Sequence, residues 1–98
     1  MYEIRFASAK VQKKCKKLLK RLSPTVKHRF KTTLENYPYP SSTHGSELCK
    51  IEKKGSVFCY EITGGDRILF DIYEAKKVVM IVMAGNDNEE IAWLKSHK

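Results

Sequence analysis

Seven apolar residues in a row, Val78-Val79-Met80-Ile81-Val82-Met83-Ala84, constrain this chain more than any other feature. The run is far short of the roughly 20 residues needed to cross a bilayer. It offers no polar face to water, so it reads as a strand in the centre of a sheet, covered on both sides. The rest of the chain must supply the covering layers. At 98 residues it has room for one core, so a single domain over residues 1–98 is expected.

Four more strand-like runs accompany it. Tyr2, Ile4 and Phe6 alternate with Glu3 and Arg5, the pattern of a half-buried strand. Leu48 to Lys53 ends at the turn Lys54-Gly55, and Val57 to Thr63 carries Phe58, Tyr60 and Ile62 on one face. Gly64-Gly65 makes a tight hairpin turn into Arg67 to Tyr73. There Ile68, Phe70 and Ile72 point inward, and Arg67, Leu69, Asp71 and Tyr73 take the other face. The apolar run follows, as a strand from Lys77 to Ala84.

Two helices are expected between the first strand and the others. Val11, Cys15, Leu18, Leu19 and Leu22 form one helical stripe after the potential cap Ser8. Ser23-Pro24 stops that helix and opens a second, with Val26, Phe30 and Leu34 as its stripe. Tyr37 to Ser46, with two prolines, reads as the one long loop. Gly85-Asn86-Asp87-Asn88 breaks the last strand, and Glu89 to Lys95 reads as a short final helix or an extended tail. The expected fold is α+β: a two-helix hairpin packed on a mainly antiparallel five-stranded sheet, in the order β-α-α-β-β-β-β-(α).

Charge is placed as unevenly as hydrophobicity. The formal net charge is +8, yet Lys10 to Lys31 holds ten Lys or Arg residues and no acid. A solvated helix face usually carries both signs, so a one-signed block points to a polyanionic partner. Lys10, Lys13, Lys16, Lys17 and Lys20 are the candidate nucleic-acid contacts on the first helix.

Other chemistries find little footing. Cys15, Cys49 and Cys59 are odd in number, widely spaced and without a C-x-x-C, which argues against a disulfide framework or a zinc site. Each lies among apolar residues and reads as core filler. His28, His44 and His97 make no ligand spacing with them, so no metal is expected. The start, Met1 to Phe6, lacks the apolar stretch of a signal peptide, and a cytoplasmic protein without a membrane span is expected.

The element order, the lysine-rich first helix and the segment from Gly55 to Phe70 together resemble the RelE/ParE superfamily of toxins. In that family an aromatic-rich strand turns through a glycine-containing bend into a strand that opens on an arginine, and Arg67 falls at that place. The last strand, ending Met83-Ala84-Gly85, also resembles the family's closing strand. The resemblance implies a RelE-like fold and a toxin of a type II toxin–antitoxin pair, with a cognate antitoxin as partner. It further implies a ribosome-dependent, metal-independent mRNA endonuclease that needs no small-molecule cofactor. In such chemistry a 2′-hydroxyl attacks the adjacent phosphate, a base takes its proton, and cations hold the developing charge. Arg67 suits the phosphate, with Lys50, Lys53 and Lys54 as candidate nucleic-acid contacts beside it, Glu61 the base, and Tyr60 or Tyr73 a phenol. Cys59, Tyr60 and Glu61 stand where nuclease members often have Lys or Arg, and no His-Tyr or Arg-Tyr pair follows the last strand. Two other functions fit the same sequence: a ParE-like toxin that inhibits DNA gyrase without cleaving, and a non-toxic basic nucleic-acid-binding module.

Overall fold

The computed structural model describes residues 1–40, 50–62 and 65–97. Its elements are β1 (Glu3–Phe6), α1 (Ala9–Lys20), α2 (Pro24–Asn36), β2 (Lys50–Lys54), β3 (Val57–Ile62), β4 (Asp66–Tyr73), β5 (Val78–Asn86) and α3 (Asp87–Ser96). Both early helices begin where their caps dictate. Ser8 accepts from the Val11 N–H, and Ser23 accepts from the Val26 N–H with Pro24 in the first turn. The expected features at Leu48, Cys49, Thr63, Gly64 and most of the Tyr37–Ser46 loop lie outside the described residues.

The five strands form one sheet in the order β1-β5-β4-β3-β2. Only β1 runs parallel to its neighbour, β5; the other pairings are antiparallel. The helical hairpin and the β2–β3–β4 meander separate β1 from β5 in sequence, and a parallel neighbour requires such a long connection. β5 therefore lies between two strands, as its apolar run demands.

Its two faces are covered by different layers. Val79, Ile81 and Ala84 join Ile68, Phe70, Tyr60 and Ile51 under α1 and α2, which contribute Cys15, Leu18, Phe30 and Leu34. Met83 joins Val57, Cys59 and Leu69 on the opposite face, under Trp93 and Leu94 of α3. A register shift makes this possible. Leu69 pairs with Met83 and Phe70 with Ile81, so Val82 is the extra residue of a bulge. The bulge resets the alternation, and Ile81 and Ala84 face the same layer.

The 85–88 segment is not a simple break. β5 continues through Asn86, which caps α3: the Asn86 side chain accepts from the Glu89 N–H at 2.9 Å, and Glu89 accepts from the Asn86 N–H at 3.2 Å. This reciprocal box makes the end of the chain a helix rather than a tail. Of its apolar residues, Trp93 and Leu94 pack back on the sheet while Ile91 stays half exposed. Among the described residues no helix is long and apolar enough to cross a membrane.

One polar knot ties the far end of the sheet. Glu74, in a single turn between β4 and β5, accepts from the hydroxyls of Tyr2 (2.6 Å) and Tyr39 (2.7 Å) and from the Lys77 ammonium (2.6 Å). Lys77 first, then the two phenols, hold its carboxyl down at about 2.

Candidate functional site

The basic block is a surface, and its geometry follows from helix periodicity. At 3.6 residues per turn, Lys10, Lys13, Lys16, Lys17 and Lys20 fall within an arc of about 120°. Val11, Cys15 and Leu18 occupy the opposite side and meet the core. All five lysines are exposed. Lys14, at the arc's margin, is instead paired with Glu89 at the start of α3. Arg21 reaches Asp66 at 3.5 Å across the same end of the molecule. Outside those two pairs the face presents cations to solvent, the arrangement that attracts a polyanion and displaces its counterions.

Arg67 belongs to a different surface. The pairs Glu61↔Arg67 and Arg67↔Gly85 put it on the α3 side of the sheet, with Glu61 directly across on β3. Its Nε lies 3.6 Å from Glu90 Oε1 and 3.9 Å from Glu61 Oε1, and its Nη1 donates to the Asp66 carbonyl at 3.0 Å. Glu90 projects from α3 and is only 6% exposed. Lys50 adds contacts to Glu52 at 2.7 Å and Glu61 at 3.9 Å, and Lys54 reaches Glu52 at 3.3 Å. The cluster thus sets three cations, Lys50, Lys54 and Arg67, against three carboxylates, Glu52, Glu61 and Glu90. Lys50 and Lys54 hold the Glu52 carboxyl below its ordinary value, and Glu52 raises both ammonium groups in return.

The other expected site residues divide between faces. Lys50, Lys54 and Glu61 share the face of Arg67. Tyr60 does not: it is fully buried on the helix side, its ring edge-on to Phe30 at 5.0 Å. The sheet separates it from Arg67, because neighbouring residues on a strand point oppositely. Lys53 is likewise on the far side, its ammonium 5.6 Å from the centre of the Phe58 ring. Tyr73 is on the Arg67 face but at the other end of β4, where it is exposed. Cys15 and Cys59 are both fully buried. Burial lifts the Cys15 thiol to about 11, and burial with the Glu90 carboxylate beside it lifts Cys59 to about 12. Neither is poised as a thiolate.

Sequence reasoning missed α3 as part of this surface. Glu90 answers Arg67 across the sheet, and Trp93 stacks on His97 with ring centres 3.9 Å apart and planes 7° from parallel. The Asn86-x-x-Glu89 spacing was the available signal, since a capping box announces a helix start. Among the described residues no group of three or more His, Cys, Asp or Glu is placed to hold a metal.

Comparison with known proteins bears on the fold. No family model matches the sequence, and no curated protein does. Three solved structures share the architecture over nearly their whole length. A metal-bound toxin from Helicobacter pylori superposes with a TM-score of 0.66 at 18% identity, covering 91% of this chain and 98% of that one. A mutant of YafQ from E. coli gives 0.59 at 13% identity, covering 92% and 98%. The archaeal RelE in a RelE–RelB complex from Pyrococcus horikoshii gives 0.50 at 21% identity, covering 87% and 93%. The fold is thus that of the RelE-type toxins.

Proposed function

We propose that this chain is the toxin of a type II toxin–antitoxin pair and that its target is the translating ribosome with its mRNA. The observation that carries this reading is the lysine arc of α1 on a fold shared with a toxin and with RelE. The arc docks on ribosomal RNA, and the opposite face of the sheet meets the message. There the Arg67 fork holds the scissile phosphate and stabilises the charge that develops on it. The Glu61 carboxylate takes the proton of the 2′-hydroxyl as its oxygen bonds to phosphorus; the bond from phosphorus to the 5′-oxygen breaks, and that oxygen leaves with a proton from water. Neither step calls on a metal or a small-molecule cofactor. For Arg67 to face a phosphate, Glu90 must give up its place beside the guanidinium. The RelE of Pyrococcus horikoshii was solved with RelB, and an antitoxin is the corresponding partner proposed here, in the cytoplasm.

The balance of charges around Arg67 favours a second reading. Three carboxylates meet three cations there, and Tyr60, the candidate phenol, lies in the core. A toxin that stops growth by binding, as gyrase inhibitors do, needs no phosphate-ready arginine. Primer extension on mRNA from cells expressing the wild type, Arg67→Ala or neither protein separates the two. New mRNA ends that vanish in the mutant are expected for the nuclease. Growth arrest without new ends would refute cleavage and leave the binding toxin.

A further inference from the structure

We propose that α3 and the β2–β3 turn form a stacking site for one base of a single-stranded nucleic acid, with Trp93 as its platform and His97 as its place-holder. The inference rests on the reading of the chain as a nucleic-acid-docking toxin and deepens it. A cavity of about 410 Å³ opens between Lys54, Gly55 and Ser56 of the turn and Trp93, Leu94 and His97 of the helix. That falls within the range of small-molecule clefts, roughly 300–1,000 Å³. Gly55 takes the turn with φ +66°, a conformation that favours glycine, and the space where its Cβ would stand is open.

His97 shows what this surface accepts. Its imidazole is a planar heteroaromatic ring lying flat on the indole, 3.9 Å away and 7° from parallel. The ring is exposed, and one hydrogen bond anchors it, from Nδ1 to the Trp93 carbonyl at 2.8 Å. A nucleobase offers a larger flat face and can take the same place, because stacking on an aromatic needs no particular base. Lys54 supplies the charge for the adjoining phosphate. Its side chain is 35% exposed at the mouth of the cavity, where Glu52 lies 3.3 Å from it. This pocket lies on the Arg67 side of the sheet, so a strand crossing that face meets an aromatic platform as well as a guanidinium.

The chain has a single tryptophan among five tyrosines, so tryptophan emission, excited selectively, reports on this site. Titration with a short oligouridine is expected to quench Trp93, and an abasic strand of the same length and charge is expected to leave it unchanged. His97→Ala, which removes the competing ring, should tighten oligouridine binding a few-fold, whereas a merely structural His97 would leave it equal or weaker. Trp93→Leu should weaken binding roughly ten-fold; fluorescence anisotropy of the labelled strand measures it, with circular dichroism checking the fold. Strand binding by anisotropy with Trp93 unquenched, or quenched equally by the abasic strand, would overturn the base site and leave the basic-helix reading intact. No strand binding at all would overturn both.

Discussion

Replacing Arg67 with alanine removes the guanidinium that sits 3.6 Å from a carboxylate buried to 6% exposure. Breaking a buried pair by deleting one partner is far more damaging than the pair is stabilising, because the remaining charge stays desolvated. Lys54 is near enough to act on Glu90 through space, and the Arg67 side chain is 20% exposed, which lowers the cost below that of a fully buried pair. We therefore expect Arg67→Ala to destabilise by about 2–3 kcal/mol. For a chain of this size each kcal/mol moves Tm by about 4–8 °C, so the fall should reach about 10–20 °C. Glu90→Gln removes the charge but keeps the shape, and should cost about 1 kcal/mol. In the double mutant the uncompensated carboxylate is gone, so the two effects should fall short of additivity by about 1–2 kcal/mol. Urea unfolding followed by circular dichroism gives the cycle, and Trp93 emission reports whether α3 leaves the sheet first. Additivity within about 0.3 kcal/mol would refute the coupling of Arg67 to α3. Arg67→Lys should restore part of the loss, since an ammonium replaces the charge but not the planar fork.

Three further outcomes are expected. Changing Lys13, Lys16, Lys17 and Lys20 together to Gln should weaken binding to ribosomes or RNA and reduce the log–log salt slope by roughly 3; an unchanged slope would mean these side chains only solvate α1. Glu74 has its folded carboxyl at about 2 against an ordinary 4.5, so its contribution is complete above pH 4.5 and is lost as pH falls through about 2. Glu74→Gln should accordingly flatten the acid decline of stability across that window, and an identical decline in both proteins would count against the Tyr2–Tyr39–Lys77 knot. Asn86→Ala deletes one half of the α3 capping box and should cost about 1 kcal/mol, with a red shift of Trp93 emission before global unfolding; an unshifted spectrum at equal stability would show that packing alone holds the helix.

Local patterns carried much of this protein. The seven apolar residues of β5 required a covered strand, and the stripes Val11–Leu22 and Val26–Leu34 required two helices on one side. The lysine arc needed nothing beyond 3.6 residues per turn. Alternation also placed Tyr60 with Phe58 and Ile62, so its burial was legible in the sequence even though its phenol invited a catalytic role. The same alternation sets Lys53 away from Lys50 and Lys54. What periodicity cannot supply is the partner across the sheet. Arg67 meets Glu90 only because β5 bulges at Val82 and Asn86 starts a helix that folds back over Met83 and Leu69. Those contacts join residues far apart in the chain, and their energies depend on desolvation, which exists only once α3 has closed over the sheet. Composition and spacing determined where the charges and the apolar faces lie; the closure of α3 decided that Glu90 meets Arg67 and Glu89 meets Lys14, and on which face Trp93 and His97 come together.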